Sequence, residues 1–97
     1  WKEIAILLPK ESIIYYADSV HCPYGNKTQQ EIINLSEKIV NFFIKNKVKL
    51  IVVACNTATA AAIAYLRKKY SISFVGMEPA VKPAALQTKT GVVGILA

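Results

Sequence analysis

The sequence lacks the features that mark membrane-spanning and secreted proteins. No apolar run among its 97 residues approaches the roughly 18 residues that a membrane-spanning helix needs. The opening stretch, WKEIAILLPKE, carries acidic residues and a proline, so it does not resemble a signal peptide. Cysteine is scarce, since Cys22 and Cys55 are too few for a disulfide scaffold. We therefore expect a cytoplasmic protein with no membrane partner.

Arginine is also scarce, although the chain is basic. The net charge of +6 comes from 12 basic and 6 acidic residues, but Arg67 is the single arginine and the lysines are scattered. The densest basic run, RKKY at 67–70, is typical of a helix C-terminus, where the helix dipole favours cations. A nucleic-acid-binding surface needs clustered basic residues. The charge pattern therefore predicts a solvated surface and no nucleic-acid partner.

Nucleotide and metal motifs are missing as well. The sequence contains neither GxGxxG nor GxxxxGK[ST], the two fingerprints of phosphate-cradling loops. His21, Cys22 and Cys55 do not have the paired spacing of zinc ligands, so we predict no metal site. A nucleophile pair of Cys55 with His21 would need a third orienting group, and no residue of the sequence stands out for that role.

Strand and helix patterns alternate along the chain. Apolar runs predict strands at 12–17, 49–55, 72–76 and 91–97, and the stretches between them predict helices at 1–8, 28–46, 57–70 and 79–87. This alternation predicts an α/β fold with an open, mostly parallel sheet between helices, in a three-layer αβα, Rossmann-like arrangement. The chain opens inside a helix and closes on an uncovered strand, so we expect an incomplete domain.

Two of these segments carry more detailed expectations. Thr28 and Glu31 have the spacing of a capping box at the start of the long helix. The run KLIVVAC at 49–55 is continuously apolar, which is typical of a strand buried on both faces of a parallel sheet.

Ligands of open α/β sheets bind at the carboxyl ends of the strands, which selects the loops at 18–27, 55–58 and 76–80. Cys55 stands where a strand becomes a helix, and amides at a helix N-terminus favour a thiolate and can hold a carboxylate or phosphate. Asn56 or Thr57 can cap that helix or face a ligand. From position alone, Cys55 as the last packed residue of its strand is the favoured interpretation, because free cysteines are often buried.

The loop HCPYG at 21–25 leaves two interpretations open. Proline and glycine shape a turn there, and Tyr24 could hydrogen-bond a ligand. The same composition also fits an ordinary connection between a strand and a helix.

Four segments, in order, resemble the glutamate racemase family: ADSVHCPYGNKT, VVACNTATA, VGMEPAVKPA and KTGVVGILA. The resemblance covers essentially the whole chain. It implies a cofactor-independent interconversion of L- and D-glutamate, the D form serving peptidoglycan, by two cysteines on opposite sides of the α-carbon. By motif match, Cys55 is one of these cysteines. The residues that the match places around the substrate are Tyr24, Gly25, Asn56, Thr57 and Thr59.

The chain departs from that family at both ends. The family's first strand, with its DSG turn, and its C-terminal domain, with the second catalytic cysteine, have no counterpart in residues 1–97. We therefore expect a partial N-terminal α/β domain of an Asp/Glu racemase-like protein that is inactive alone. Cys22 does not replace the second cysteine, because it precedes PYG where the family has no catalytic thiol. The resemblance also suggests a homodimer.

Two other functions are compatible with the motifs. The sequence CNTA alone fits aspartate and related amino-acid racemases of the same superfamily. The second is a non-catalytic α/β module that holds a small anion at the helix N-terminus near 56–58, with Cys55 only packed.

Overall fold

The computed structural model describes residues 1–95 of the chain. It contains four helices and two strands in that range, joined by loops and one 3₁₀ turn at Tyr24–Asn26. The elements are α1 (Lys2–Leu7), α2 (Gln29–Lys45), β1 (Leu50–Val53), α3 (Asn56–Lys69), β2 (Ser73–Gly76) and α4 (Val81–Gln87). None of the helices in this range is long and apolar enough to cross a lipid bilayer.

Strands β1 and β2 are parallel and α3 connects them, which makes a βαβ unit. Ile51 pairs with Phe74, and Val53 pairs with Gly76 at the carboxyl ends. Parallel strands need such a crossover connection because a tight hairpin cannot join them. The predicted α/β class with a parallel sheet is confirmed.

Helix α2 begins with the predicted capping box. The Thr28 hydroxyl accepts from the Glu31 amide at 3.3 Å, and the Glu31 carboxylate accepts from the Thr28 amide at 2.7 Å. Each side chain thus satisfies a main-chain N–H that the helix leaves without a partner. The capping box is confirmed, and it fixes where the chain turns from the 18–27 loop into α2.

The hydrophobic core lies between the helices and one face of the sheet. Ala58 and Ala62 of α3 are 5% and 1% exposed, and their small side chains let the helix approach its neighbours closely. Helix α3 contacts α2 on one side and both strands on the other. The buried apolar residues are Ile32, Ile33 and Val40 of α2, Ile51 of β1, Ala58, Ala62 and Leu66 of α3, and Phe74 of β2. Helix α3 therefore sits at the centre of this core.

The prediction that the strand at 49–55 is buried on both faces is wrong for the described residues. Successive side chains of a strand point to opposite faces, and helices cover only the face that carries Ile51 and Phe74. The side chains of Leu50, Val52 and Val75 are exposed. The apolar run therefore supplies one core face and one open apolar face.

Two predicted strands do not form in residues 1–95. Residues 12–17 have no strand assignment, and the Tyr16 ring packs against the Phe42 ring of α2 at 5.4 Å instead. Residues 91–95 also have none, and 96–97 lie outside the described residues. A β-branched composition is not sufficient, because a strand also needs a neighbour that accepts and donates its main-chain hydrogen bonds.

Candidate active site

Cys55 is the N-cap of α3. Its backbone is extended, with φ −135° and ψ 122°, and the helix begins at Asn56. The Sγ atom accepts a hydrogen bond from the Ala58 amide at 3.5 Å, and the carbonyl oxygen accepts from the Thr59 amide at 2.9 Å. The sequence leaves Asn56 and Thr57 either capping this helix or facing a ligand, and the structure gives the cap to Cys55. β1 ends at Val53, and Cys55 is the residue where extended backbone gives way to the helix.

The Cys55 side chain is exposed. The interpretation of this cysteine as a packed strand end, favoured from its position, is therefore wrong for the described residues. Asn56 and Thr57 follow it as the first two residues of α3. Their amides precede the intrahelical hydrogen-bond ladder, which starts only with the fourth or fifth amide. A thiol and two outward-pointing amides thus share one helix start.

Thr59 joins the carboxyl ends of both strands. Its hydroxyl donates to the Val53 carbonyl at 3.2 Å and accepts from the Met77 amide at 3.1 Å. The approach is so close that a Cβ on Gly76 would lie 2.5 Å from the Thr59 methyl group. Residues 55–59 and the loop after β2 therefore lie side by side, as the sequence predicts for the loops at 55–58 and 76–80.

The 18–27 loop reaches the same region through Tyr24. This residue begins the 3₁₀ turn, which contacts α3, and its ring packs against the core. The phenol donates a hydrogen bond to Asp18 Oδ2 at 2.5 Å, and the His21 ring binds Asp18 Oδ1 through Nδ1 at 2.6 Å. Gly25 follows Tyr24 in the turn and is exposed. The 18–27 loop and the loop after β2 thus both contact α3, although no strand within residues 1–95 precedes the 18–27 loop.

Asp18 is the residue that sequence reasoning did not single out. It lies in one of the selected loops, but an aspartate beside a serine reads as a common turn residue. Its partners Tyr24 and His21 are six and three residues away. Within residues 1–95, the hydrogen-bond partner of the His21 ring is Asp18 and not Cys55. The nucleophile pair of Cys55 and His21 therefore does not form here.

Burial and the neighbouring Asp18 keep the Tyr24 phenol protonated. Burial raises the pKa of Tyr24 well above its usual range, and the hydrogen bond to Asp18 and the negative charge of Asp18 raise it further. For Asp18, burial opposes ionisation, but hydrogen bonds from Tyr24 and His21 outweigh that effect and lower the carboxyl pKa. The loop therefore holds an ionised carboxylate against a protonated phenol.

No group of three or more His, Cys, Asp and Glu side chains in residues 1–95 could hold a metal ion. The three loops instead present an exposed thiol, the first amides of a long helix and small polar side chains. Together with the parallel sheet, they define an α/β protein with a candidate small-ligand site at the carboxyl edge of the strands.

Comparison with curated proteins identifies the relatives of this chain. It is 59% identical over 96 residues to the glutamate racemase of Herpetosiphon aurantiacus, covering 99% of this chain and 38% of that protein. It is 52% identical over 97 residues to the glutamate racemase of Stutzerimonas stutzeri, covering 99% and 37%. No family model matches the sequence.

Solved structures give the same result. The glutamate racemase of Aquifex pyrophilus superposes with a TM-score of 0.80 at 36% identity, over 91% of this chain and 35% of that one. The Escherichia coli glutamate racemase, solved with L-glutamate and the activator UDP-MurNAc-ala, superposes with a TM-score of 0.79 at 41% identity, over 92% and 34%. The chain is therefore homologous to glutamate racemases over essentially its whole length, and it spans little more than a third of theirs.

Proposed function

We propose that this chain is part of a glutamate racemase, in which Cys55 is one of two thiols that act on opposite faces of the glutamate α-carbon. The observation that carries the proposal is the position of Cys55. Its thiol is exposed at the carboxyl end of β1 and at the N-terminus of α3, within a sequence that is 59% identical to a glutamate racemase. We assign the chain to the N-terminal α/β domain of that enzyme.

The chemistry requires a base for the α-proton and stabilisation of the anion that forms when the proton leaves. The Cys55 thiolate supplies the base on one face, and the other thiol delivers a proton to the opposite face. The first amides of α3 favour negative charge beside Cys55. No organic cofactor takes part in this proposal, because proton transfer alone inverts the α-carbon.

The polar residues around Cys55 bind the substrate in this proposal. Asn56 and Thr57 do so from the start of α3, and Tyr24 and Gly25 do so from the 3₁₀ turn. The Thr59 hydroxyl already donates to Val53 and accepts from Met77. A threonine hydroxyl has one donor and two acceptor sites. Thr59 can therefore contact the substrate only as an acceptor, which suits the α-ammonium group.

The second thiol lies outside this chain in our proposal, because a single base returns the proton to the face it left. The 97-residue chain alone is therefore inactive. In the cell we place the complete enzyme in the cytoplasm, as a homodimer that supplies D-glutamate for peptidoglycan.

The test is a Cys55→Ala substitution in the complete gene product, with Cys22→Ala as the matched control. Cys55→Ala should abolish interconversion of L- and D-glutamate, measured by circular dichroism. It should also stop exchange of the α-proton of one enantiomer with solvent deuterium. Cys22→Ala should retain both activities. Retained turnover in Cys55→Ala would remove this thiol from the mechanism, and turnover of aspartate in place of glutamate would correct the substrate.

A further inference from the structure

Asp18 uses each oxygen of its carboxylate for a different partner. Oδ2 accepts from the Tyr24 phenol at 2.5 Å, and Oδ1 binds His21 Nδ1 at 2.6 Å. The Asp18 side chain is 13% exposed, whereas the His21 side chain is 45% exposed. The carboxylate is thus largely covered by the residues that it binds, and hydrogen bonds to an ionised acceptor are the stronger kind.

Tyr24 connects this carboxylate to the helix that carries Cys55. Its ring packs against the buried core, and the 3₁₀ turn that it begins contacts α3. The core cluster that the ring packs against includes Ala58, the third residue of α3. Because Gly25 follows Tyr24 in this turn, loss of the Tyr24 contacts would leave Gly25 less firmly held beside α3.

The phenol has one O–H group, and that group donates to Asp18. It cannot donate to a ligand at the same time. The hydroxyl of Tyr24 therefore serves to hold the loop, and what the loop offers a substrate comes from its other groups.

We propose that Asp18 is a positioning residue for the racemase reaction, acting through Tyr24 to hold the 21–25 loop against the N-terminus of α3. The proposal rests on the proposed function above. His21 closes the other side of the carboxylate and limits the positions that Asp18 can take. Asp18 touches no reacting atom in this scheme, so its effect is on substrate binding and not on the proton transfers.

The test is Asp18→Asn in the complete gene product. An asparagine fills the same space but presents one acceptor oxygen and no charge. We expect KM for L-glutamate to rise roughly tenfold or more, the size set by one charge-assisted hydrogen bond, while kcat stays within about twofold. Hydrogen exchange of the amides at 20–27 should become faster. Asp18→Glu keeps a carboxylate, so it should bring both KM and the exchange rates part of the way back to those of the unsubstituted protein.

Tyr24→Phe provides a second variant, because it keeps the ring in the core and removes only the hydroxyl. Its KM should rise to a similar extent, and the double variant Asp18→Asn/Tyr24→Phe should be no worse than either single one. The matched control is Glu37→Gln. Glu37 also accepts from a tyrosine hydroxyl, that of Tyr65 at 2.8 Å, but between α2 and the second half of α3. Its loss should leave KM unchanged.

The two proposals fail in different ways. If the unsubstituted protein does not racemise glutamate, the proposed function is wrong and the role of Asp18 in that reaction falls with it. If the unsubstituted protein is active but Asp18→Asn leaves KM unchanged, or if the two single effects multiply in the double variant, only the positioning role of Asp18 is overturned.

Discussion

The Met77 amide donates a hydrogen bond to the Thr59 hydroxyl at 3.1 Å, which ties the segment after β2 to the second turn of α3. The same hydroxyl donates to the carbonyl of Val53 at the end of β1. One side chain thus contacts both strand ends, which the Met77 amide also joins directly by donating to the Val53 carbonyl at 3.3 Å. Because Cys55 stands between Val53 and Thr59 in sequence, this arrangement also sets the position of its thiol.

Gly76→Ala should destabilise the complete gene product. The new Cβ would lie 2.5 Å from Thr59 Cγ2 and 3.3 Å from the end of the Ile63 side chain, so either the helix or the strand must shift. Overpacking of this kind costs about 1–3 kcal/mol. Urea denaturation followed by circular dichroism measures the loss.

Thr59→Ser is the matched partner for that substitution, because it removes the clashing methyl group and retains the hydroxyl. The double variant Gly76→Ala/Thr59→Ser should be more stable than Gly76→Ala alone, since the two sites are in contact and their effects are coupled. Equal stability of the two would show that the contact between Gly76 and Thr59 does not limit the packing here.

Cys55 should react with iodoacetamide faster than Cys22 near neutral pH in the complete gene product. Both side chains are exposed, so a difference in rate reports reactivity rather than access. Amides at a helix N-terminus favour negative charge on a thiol, which is the nucleophilic form. Peptide mass spectrometry gives the two rates. Glutamate should slow labelling of Cys55 and leave Cys22 unaffected, and unprotected, slow labelling of Cys55 would favour a non-catalytic anion-binding module.

The isolated 97-residue chain should not interconvert the glutamate enantiomers. It contains Cys55 but, in our proposal, not the opposing thiol, and a lone base cannot deliver a proton to the other face. The complete gene product, assayed by polarimetry under the same conditions, is the positive control. Clear turnover by the purified chain would contradict the two-thiol scheme as we assign it.

Thr28→Ala should destabilise the complete gene product by about 1 kcal/mol, the usual cost of losing an N-cap side chain. The Thr28 hydroxyl both accepts from the Glu31 amide and donates to the Glu31 carboxylate. Thr28→Ser keeps the hydroxyl and should retain most of the stability. Thermal denaturation compares the two variants, and an equal loss in both would exclude the capping box as the cause.

The capping box also predicts a pH dependence. Hydrogen bonds from the Thr28 hydroxyl and amide lower the pKa of Glu31 below its ordinary value of 4.5, against a weaker opposing effect of burial. The unfolded chain therefore binds this proton more tightly, so the contribution is complete above pH 4.5 and is lost as the pH falls through the folded-state pKa. The melting-temperature difference between the unsubstituted protein and Glu31→Gln should shrink from about pH 7 to about pH 3. A constant difference would contradict this.

The parts of the fold that depend on local sequence could be predicted. The capping box at Thr28 and Glu31, the helix α2 and the βαβ order follow from composition and spacing over a few residues. The strand at 12–17 could not be judged in the same way, because its formation depends on a hydrogen-bonding neighbour elsewhere. The one-sided cover of β1 has the same origin, since the sequence of a strand does not say which helices lie over it.

In the candidate site, too, some features could be predicted from local sequence and others depend on the fold. The rule that ligands bind at strand ends selected the three loops, and the motifs selected Cys55 within them. Asp18 was not singled out because its hydrogen bonds with Tyr24 and His21 form only in the folded loop. The N-cap role of Cys55 was not predicted because cysteine is not among the usual N-cap residues, although its sulfur can accept a hydrogen bond there.

The sulfur of Cys55 occupies the N-cap position of α3, and this offers a way to capture the bound substrate. Alanine at this position would remove the cap together with the thiol, whereas serine is among the preferred N-cap residues. Cys55→Ser should therefore keep Asn56 and Thr57 in place while removing the reactive group. Crystals of that variant, soaked with a single glutamate enantiomer, should retain it unconverted and display the bound amino acid at full occupancy.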